Sequence, residues 1–151
     1  MKKIRKGIFE TNSSSVHTIS VDPSGLEESR LQIGKDGMIV VPLMEFGKNT
    51  ALYSTQLEKL SYLITQCYCL NGYTLNNIAD NYHFRNVEKA IVDYTDALGI
   101  IPVVFPEIDD WGIIDHQSIP EYDLNLVNEY DEKSIQEFVF NKYIRLYTTC
   151  D

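Results

Sequence analysis

Cysteine is scarce in this 151-residue chain, and the three present, Cys67, Cys69 and Cys150, are an odd number. That excludes a disulfide-stapled scaffold and makes free thiols the expectation. Long apolar runs are missing too. Nothing approaches the roughly 18–20 residues that a bilayer span needs. The basic start, Met1-Lys2-Lys3-Ile4-Arg5-Lys6-Gly7, runs into Phe9-Glu10-Thr11-Asn12-Ser13 rather than an apolar stretch. It does not read as a signal peptide, so a cytoplasmic protein is expected.

The most pointed absence is of positive charge. Residues 91–132 contain no Lys or Arg but hold eleven acids: Asp93, Asp96, Glu107, Asp109, Asp110, Asp115, Glu121, Asp123, Glu129, Asp131 and Glu132. The formal net charge is −9, and outside that stretch acids and bases nearly balance. Phosphate backbones require cations, so direct nucleic-acid binding through this half is not expected. A basic partner surface is compatible with it, as is a solvated face that keeps the chain dispersed.

What is present is ordinary for a globular protein: 44% hydrophobic and 23% charged residues,. The length suits one domain, spanning residues 1–151. A fold of that size buries about 68–70% of the surface of its unfolded chain. Residues 3–9 and 16–21 read as strands around a polar loop. In the second of these, His17, Ile19 and Val21 share one face. Residues 30–33 and 38–42 suggest a hairpin about Gly34-Lys35-Asp36-Gly37.

Residues 54–70 read as the best helix, with Tyr53, Leu57, Leu60, Ile64 and Cys67 as its apolar stripe. Thr55 and Glu58 form a capping box, and Asn71-Gly72 a stop. A short helix is expected over 74–80. Residues 87–98 form a second helix, capped by Asn86, with Val87, Ile91, Tyr94 and Leu98 on one side. The β-branched run 100–105 reads as a buried strand. Ser134 with Glu137 opens a short helix, and 143–149 is a last strand. Strands first, helices in the middle and a late mixture predict an α+β fold: a mixed or antiparallel sheet with two main helices and a short C-terminal helix.

Two polar constellations are candidates for chemistry. In the first, Glu10, Asn12, Ser13, Ser14 and Ser15 crowd one loop. Its N–H groups and hydroxyls suit an anion, and His17 just beyond suits a general base. The loop has no glycine, so it is not a Gly-Lys-Ser phosphate loop. Ser and Asn runs are also ordinary turn chemistry, and His17 beside Ile19 and Val21 is equally a core histidine. The second is Asp115-His116-Gln117-Ser118, following Trp111-Gly112. Asp115 and His116 point apart on a strand and share a site only in a turn; a capped turn accounts for them equally well.

Cys67 and Cys69 lie about 200° apart on a helix and cannot face one metal. A zinc site with His83 and Cys150 lacks the usual spacing. No metal and no cofactor are expected. Glu107, Asp109, Asp110 and Trp111, with the interleaved Tyr122 and Tyr130, suit a protein interface.

The opening Arg5-Lys6-Gly7-Ile8-Phe9-Glu10-Thr11-Asn12-Ser13-Ser14-Ser15-Val16-His17 resembles the start of small uncharacterised proteins of bacteriophages and prophages of Gram-positive bacteria. Asp115-His116-Gln117-Ser118 and Glu137-Phe138-Val139-Phe140-Asn141 are similar to later segments of that group. Residues 43–105 carry no such likeness. The resemblance implies a mobile-element origin and one domain, and no mechanism.

Two functional expectations follow. The leading one is a phage accessory protein in the host cytoplasm that binds a host protein with a basic surface, such as a nucleic-acid-handling or defence factor. The other is a small enzyme acting on a nucleotide or phosphorylated substrate. There the Ser13–Ser15 loop would hold the anion, His17 or His116 would move the proton, and Asp115 would orient a histidine. A third reading, a virion component, predicts self-association.

Overall fold

The computed structural model describes residues 15–22, 30–47, 50–104 and 131–150, with backbone alone at 15–17 and 149–150. The expected first strand, most of the polar loop and most of the acidic stretch lie outside them.

The fold is α+β. In chain order it runs β1 (Ser15–Val21), β2 (Met38–Pro42), β3 (Ala51–Tyr53), α1 (Gln56–Leu70), α2 (Tyr82–Tyr94), β4 (Gly99–Val103), α3 (Glu132–Phe140) and β5 (Ile144–Cys150). The strands divide into two sheets. β5 lies between β1 and β3, antiparallel to both, while β2 pairs with β4 in parallel. Parallel neighbours need a long crossover, and here it contains both main helices.

α1 starts where the capping box predicts. Thr55 Oγ1 accepts the Glu58 N–H at 3.1 Å, and Glu58 Oε1 accepts those of Ser54 and Thr55 at 3.2 Å each. It stops at Asn71, and Gly72 follows at a φ of +74°. Its apolar stripe is wider than its periodicity suggests. Every residue from Leu60 to Cys69 is buried, whereas Leu57, counted on the stripe, is exposed. α1 is therefore the central element, enclosed on all sides. Tyr62 packs edge-on against Phe46 at 5.0 Å, and Phe46 against Tyr53 at 4.9 Å.

The expected hairpin is not formed. The turn exists, with Gly34 N–H on Met38 O at 2.8 Å and Gly37 N–H on Gly34 O at 2.9 Å. Residues 30–33 nevertheless take no strand. β2 pairs with β4 instead, from Met38 opposite Gly99 to Pro42 opposite Val103. Buried Ile39 and Val41 face the core, as does Ile100. Val40 and its register partner Ile101 are exposed, so β4 is half-buried rather than buried.

α2 begins five residues before the expected start. Asn81, not Asn86, is its cap, with Oδ1 accepting the N–H of His83 at 3.0 Å and of Phe84 at 3.2 Å. It ends at Tyr94, where both the N–H and the hydroxyl of Thr95 return to Ile91 O. Leu98 N–H already bonds Gly37 O at 2.7 Å, extending the β2–β4 ladder. This early exit leaves Tyr94 58% and Leu98 75% exposed, off the core face expected for them.

Between the helices, only a 3₁₀ turn, Ile78–Asp80, forms. α3 starts at Glu132 behind Asp131, whose Oδ1 accepts the Lys133 N–H at 3.1 Å. Ser134 and Glu137 lie within it rather than framing its start. Gln136 Nε2 ties it to α2 through Ala90 O at 2.9 Å. Among the described residues no helix is long and apolar enough to cross a membrane.

Candidate functional site

β1 places the backbone of His17 opposite Thr148 and of Ser15 opposite Cys150. The remaining predicted site residues, Glu10, Asn12, Ser13, Ser14, Glu107, Asp109, Asp110, Trp111, Asp115, His116, Gln117 and Ser118, lie outside the described residues. Cys67, read as core, is buried, as is Cys69; neither is in a disulfide.

The described part of the acidic stretch is its two ends, and the fold brings them together. Asp93 lies in the last turn of α2 and Glu132 in the first turn of α3. Lys89 bridges them, with Nζ 2.6 Å from Asp93 Oδ2 and 3.6 Å from Glu132 Oε2. The Glu132 carboxyl beside it and then Lys89 hold Asp93 below the usual aspartate range. The neighbouring Asp93 carboxyl lifts Glu132 above the usual glutamate range,.

One residue on, Tyr94 stacks on Phe140 with ring centroids 4.0 Å apart and planes 11° from parallel. The sequence places these rings 46 residues apart, and only the α2–α3 packing joins them. The pair separates two concavities. The larger, about 650 Å³, is lined by both rings and by Asp131, Lys133, Ser134, Gln136, Glu137 and Asn141. Glu137 Oε1 accepts from Asn141 Nδ2 at 2.6 Å, which fixes its carboxylate at the rim. The smaller, about 360 Å³, is lined by the same rings with Arg30, Leu31, Gln56 and Thr95. An exposed aromatic shelf with Asp131, Glu137 and Lys133 on the larger side and Arg30 and Gln56 on the smaller can hold a flat or charged group by stacking, cation–π attraction and ion pairing,.

Three polar positions, two at the cleft and one in the core, have no signal in the sequence. Arg30 and Gln56 belong to no motif. Lys59 is a charged residue at a core position of α1, 1% exposed. Its Nζ donates to Asn141 O at 3.0 Å and Ile144 O at 2.8 Å, fastening the end of α3 and the start of β5 to the central helix.

No protein-family model, curated protein or solved structure matches the chain.

Proposed function

We propose that this is a phage- or prophage-encoded accessory protein that binds a host protein through its acidic, aromatic-bearing face. The observation that carries this reading is the Tyr94–Phe140 stack beside the concavity lined by Asp131 and Glu137. Tyrosine and phenylalanine anchors inside a charged rim are the usual composition of a protein interface. The net charge of −9 selects a basic partner, because complementary potentials speed encounter and reject acidic surfaces,. An acidic face of this kind occupies a surface that otherwise takes phosphates. A nucleic-acid-handling or defence factor of the host is therefore the expected class of target.

The test is capture of host proteins on the immobilised protein across a salt series. Capture of a basic protein that weakens with salt supports the reading. Tyr94→Ala and a reversal of Glu107, Asp109 and Asp110 should each reduce it. If both variants retain every partner that the parent captures, the electrostatic docking face is wrong.

A further inference from the structure

The smaller concavity, about 360 Å³, lacks the carboxylates that line the larger one. The chain has a net charge of −9, yet no carboxylate is among the described residues that line this cleft. Its polar groups are donors. Arg30 is exposed, and among the described residues nothing pairs with its guanidinium. Gln56 is only 7% exposed, and its Oε1 accepts the Leu31 N–H at 3.2 Å. The Gln56 NH₂ group, without a partner among the described residues, is the polar end left to the cleft. The Thr95 hydroxyl is occupied, donating to Ile91 O at 2.8 Å and accepting from Ala97 N at 3.2 Å. The Tyr94–Phe140 stack lines the same cleft.

We propose that this cleft binds a small flat-ring ligand carrying one oxyanion. The ring lies against Tyr94, where stacking tolerates any π face. The Gln56 NH₂ donates to an acceptor on the ring, which supplies the bond a nearly buried amide otherwise lacks. The Arg30 guanidinium takes the oxyanion, for which its planar fork is shaped. The volume is at the small end of ligand pockets, so it suits one ring system and one anionic group. Phosphate and carboxylate satisfy the same donors. The inference shares the Tyr94–Phe140 stack with the partner-binding reading but not its carboxylates, so Arg30→Gln tests the cleft without touching that face.

The experiment is calorimetric titration, with amide NMR shifts, of the full chain against four probes. Adenosine 5′-monophosphate and nicotinate each carry ring and anion. Adenosine carries the ring without the anion, and inorganic phosphate the anion without the ring. At least one of the first two should saturate and shift the Arg30, Gln56 and Tyr94 signals, and which one does so identifies the anion. The two half-ligands should bind at least about tenfold more weakly, the scale of one lost charge-assisted bond. Arg30→Gln, at an exposed position, should weaken binding by a similar factor with unchanged melting. Gln56→Glu keeps an acceptor for Leu31 N–H while removing the donors, and should also weaken binding, with some loss of stability from the nearly buried carboxylate,. The proposal is overturned if neither full probe saturates below about 1 mM. It is equally overturned if adenosine matches its monophosphate as the better binder, or if Arg30→Gln binds like the parent.

Discussion

Replacing Lys59 by methionine keeps the apolar stem inside α1 and removes the ammonium. Two carbonyl oxygens then lose a charged donor: Asn141 O at 3.0 Å and Ile144 O at 2.8 Å. They are not equivalent. Asn141 O also accepts the Ile144 N–H at 3.0 Å, so it keeps one partner. Its loss is worth about 1 kcal/mol, the net value of one hydrogen bond. Ile144 O stands to lose about 1–3 kcal/mol, the cost of an unsatisfied buried acceptor. Relief of burying the charge works in the other direction and removes part of this sum. The net expectation is a loss of about 2–3 kcal/mol, or roughly 4–12 °C in melting temperature for a chain of this size. Urea unfolding monitored by circular dichroism measures it. Hydrogen exchange adds a local readout, because protection should fall first around Asn141 and Ile144, where α3 hands over to β5. A Lys59→Met protein as stable as the parent would refute the claim that this ammonium fastens α3 and β5 to the central helix.

Three further outcomes follow from the geometry. Thr55→Ala removes the acceptor of the Glu58 N–H at the head of α1 and should cost about 1 kcal/mol in urea unfolding,. Gly37→Ala forces a side chain onto a residue at φ +84°, with Leu98 Cγ only 2.8 Å from the new carbon; a loss of at least about 1–2 kcal/mol should appear in thermal unfolding,. In a carboxyl ¹³C NMR titration, Asp93 should titrate below the ordinary aspartate range and Glu132 above the ordinary glutamate range. The two act on stability with opposite signs. Asp93 binds its proton less tightly when folded, so its contribution is lost as pH falls through its lowered midpoint. Glu132 binds more tightly when folded, so its contribution is lost as pH rises through its raised midpoint. Lys89→Gln should move Asp93 back toward the ordinary range, and an unmoved midpoint would remove Lys89 from that explanation.

Local chemistry was the part of this protein that could be read from the chain alone. The Thr55–Glu58 box, the Asn71-Gly72 stop and the β-branched run of β4 each depend on neighbours within a few residues. Those neighbours are present in the sequence itself, and each element formed within a few residues of its expected bounds. Asn81 and Asn86 show where that reading fails. Both are competent caps, and the choice between them fell to the packing of α2 against its surroundings. The apolar face expected of β1 did not hold either: Val21 is exposed and Thr18 buried.

Tertiary structure alone decided the partner of β2. A turn at Gly34–Gly37 is compatible with a hairpin, but only the two-helix crossover could bring β4 alongside in parallel. It also decided the candidate site. Tyr94 and Phe140 are distant apolar letters until α2 and α3 pack, and Arg30 and Gln56 become a pair of donors only because Leu31 N–H binds the Gln56 side chain. The acidic ends, Asp93 and Glu132, are 39 residues apart in the chain and meet at one ammonium because α2 and α3 pack with Lys89 between them. Composition set the net charge. Which charges meet, and which remain free to meet something else, depends on distances of a few ångströms that no residue pattern contains.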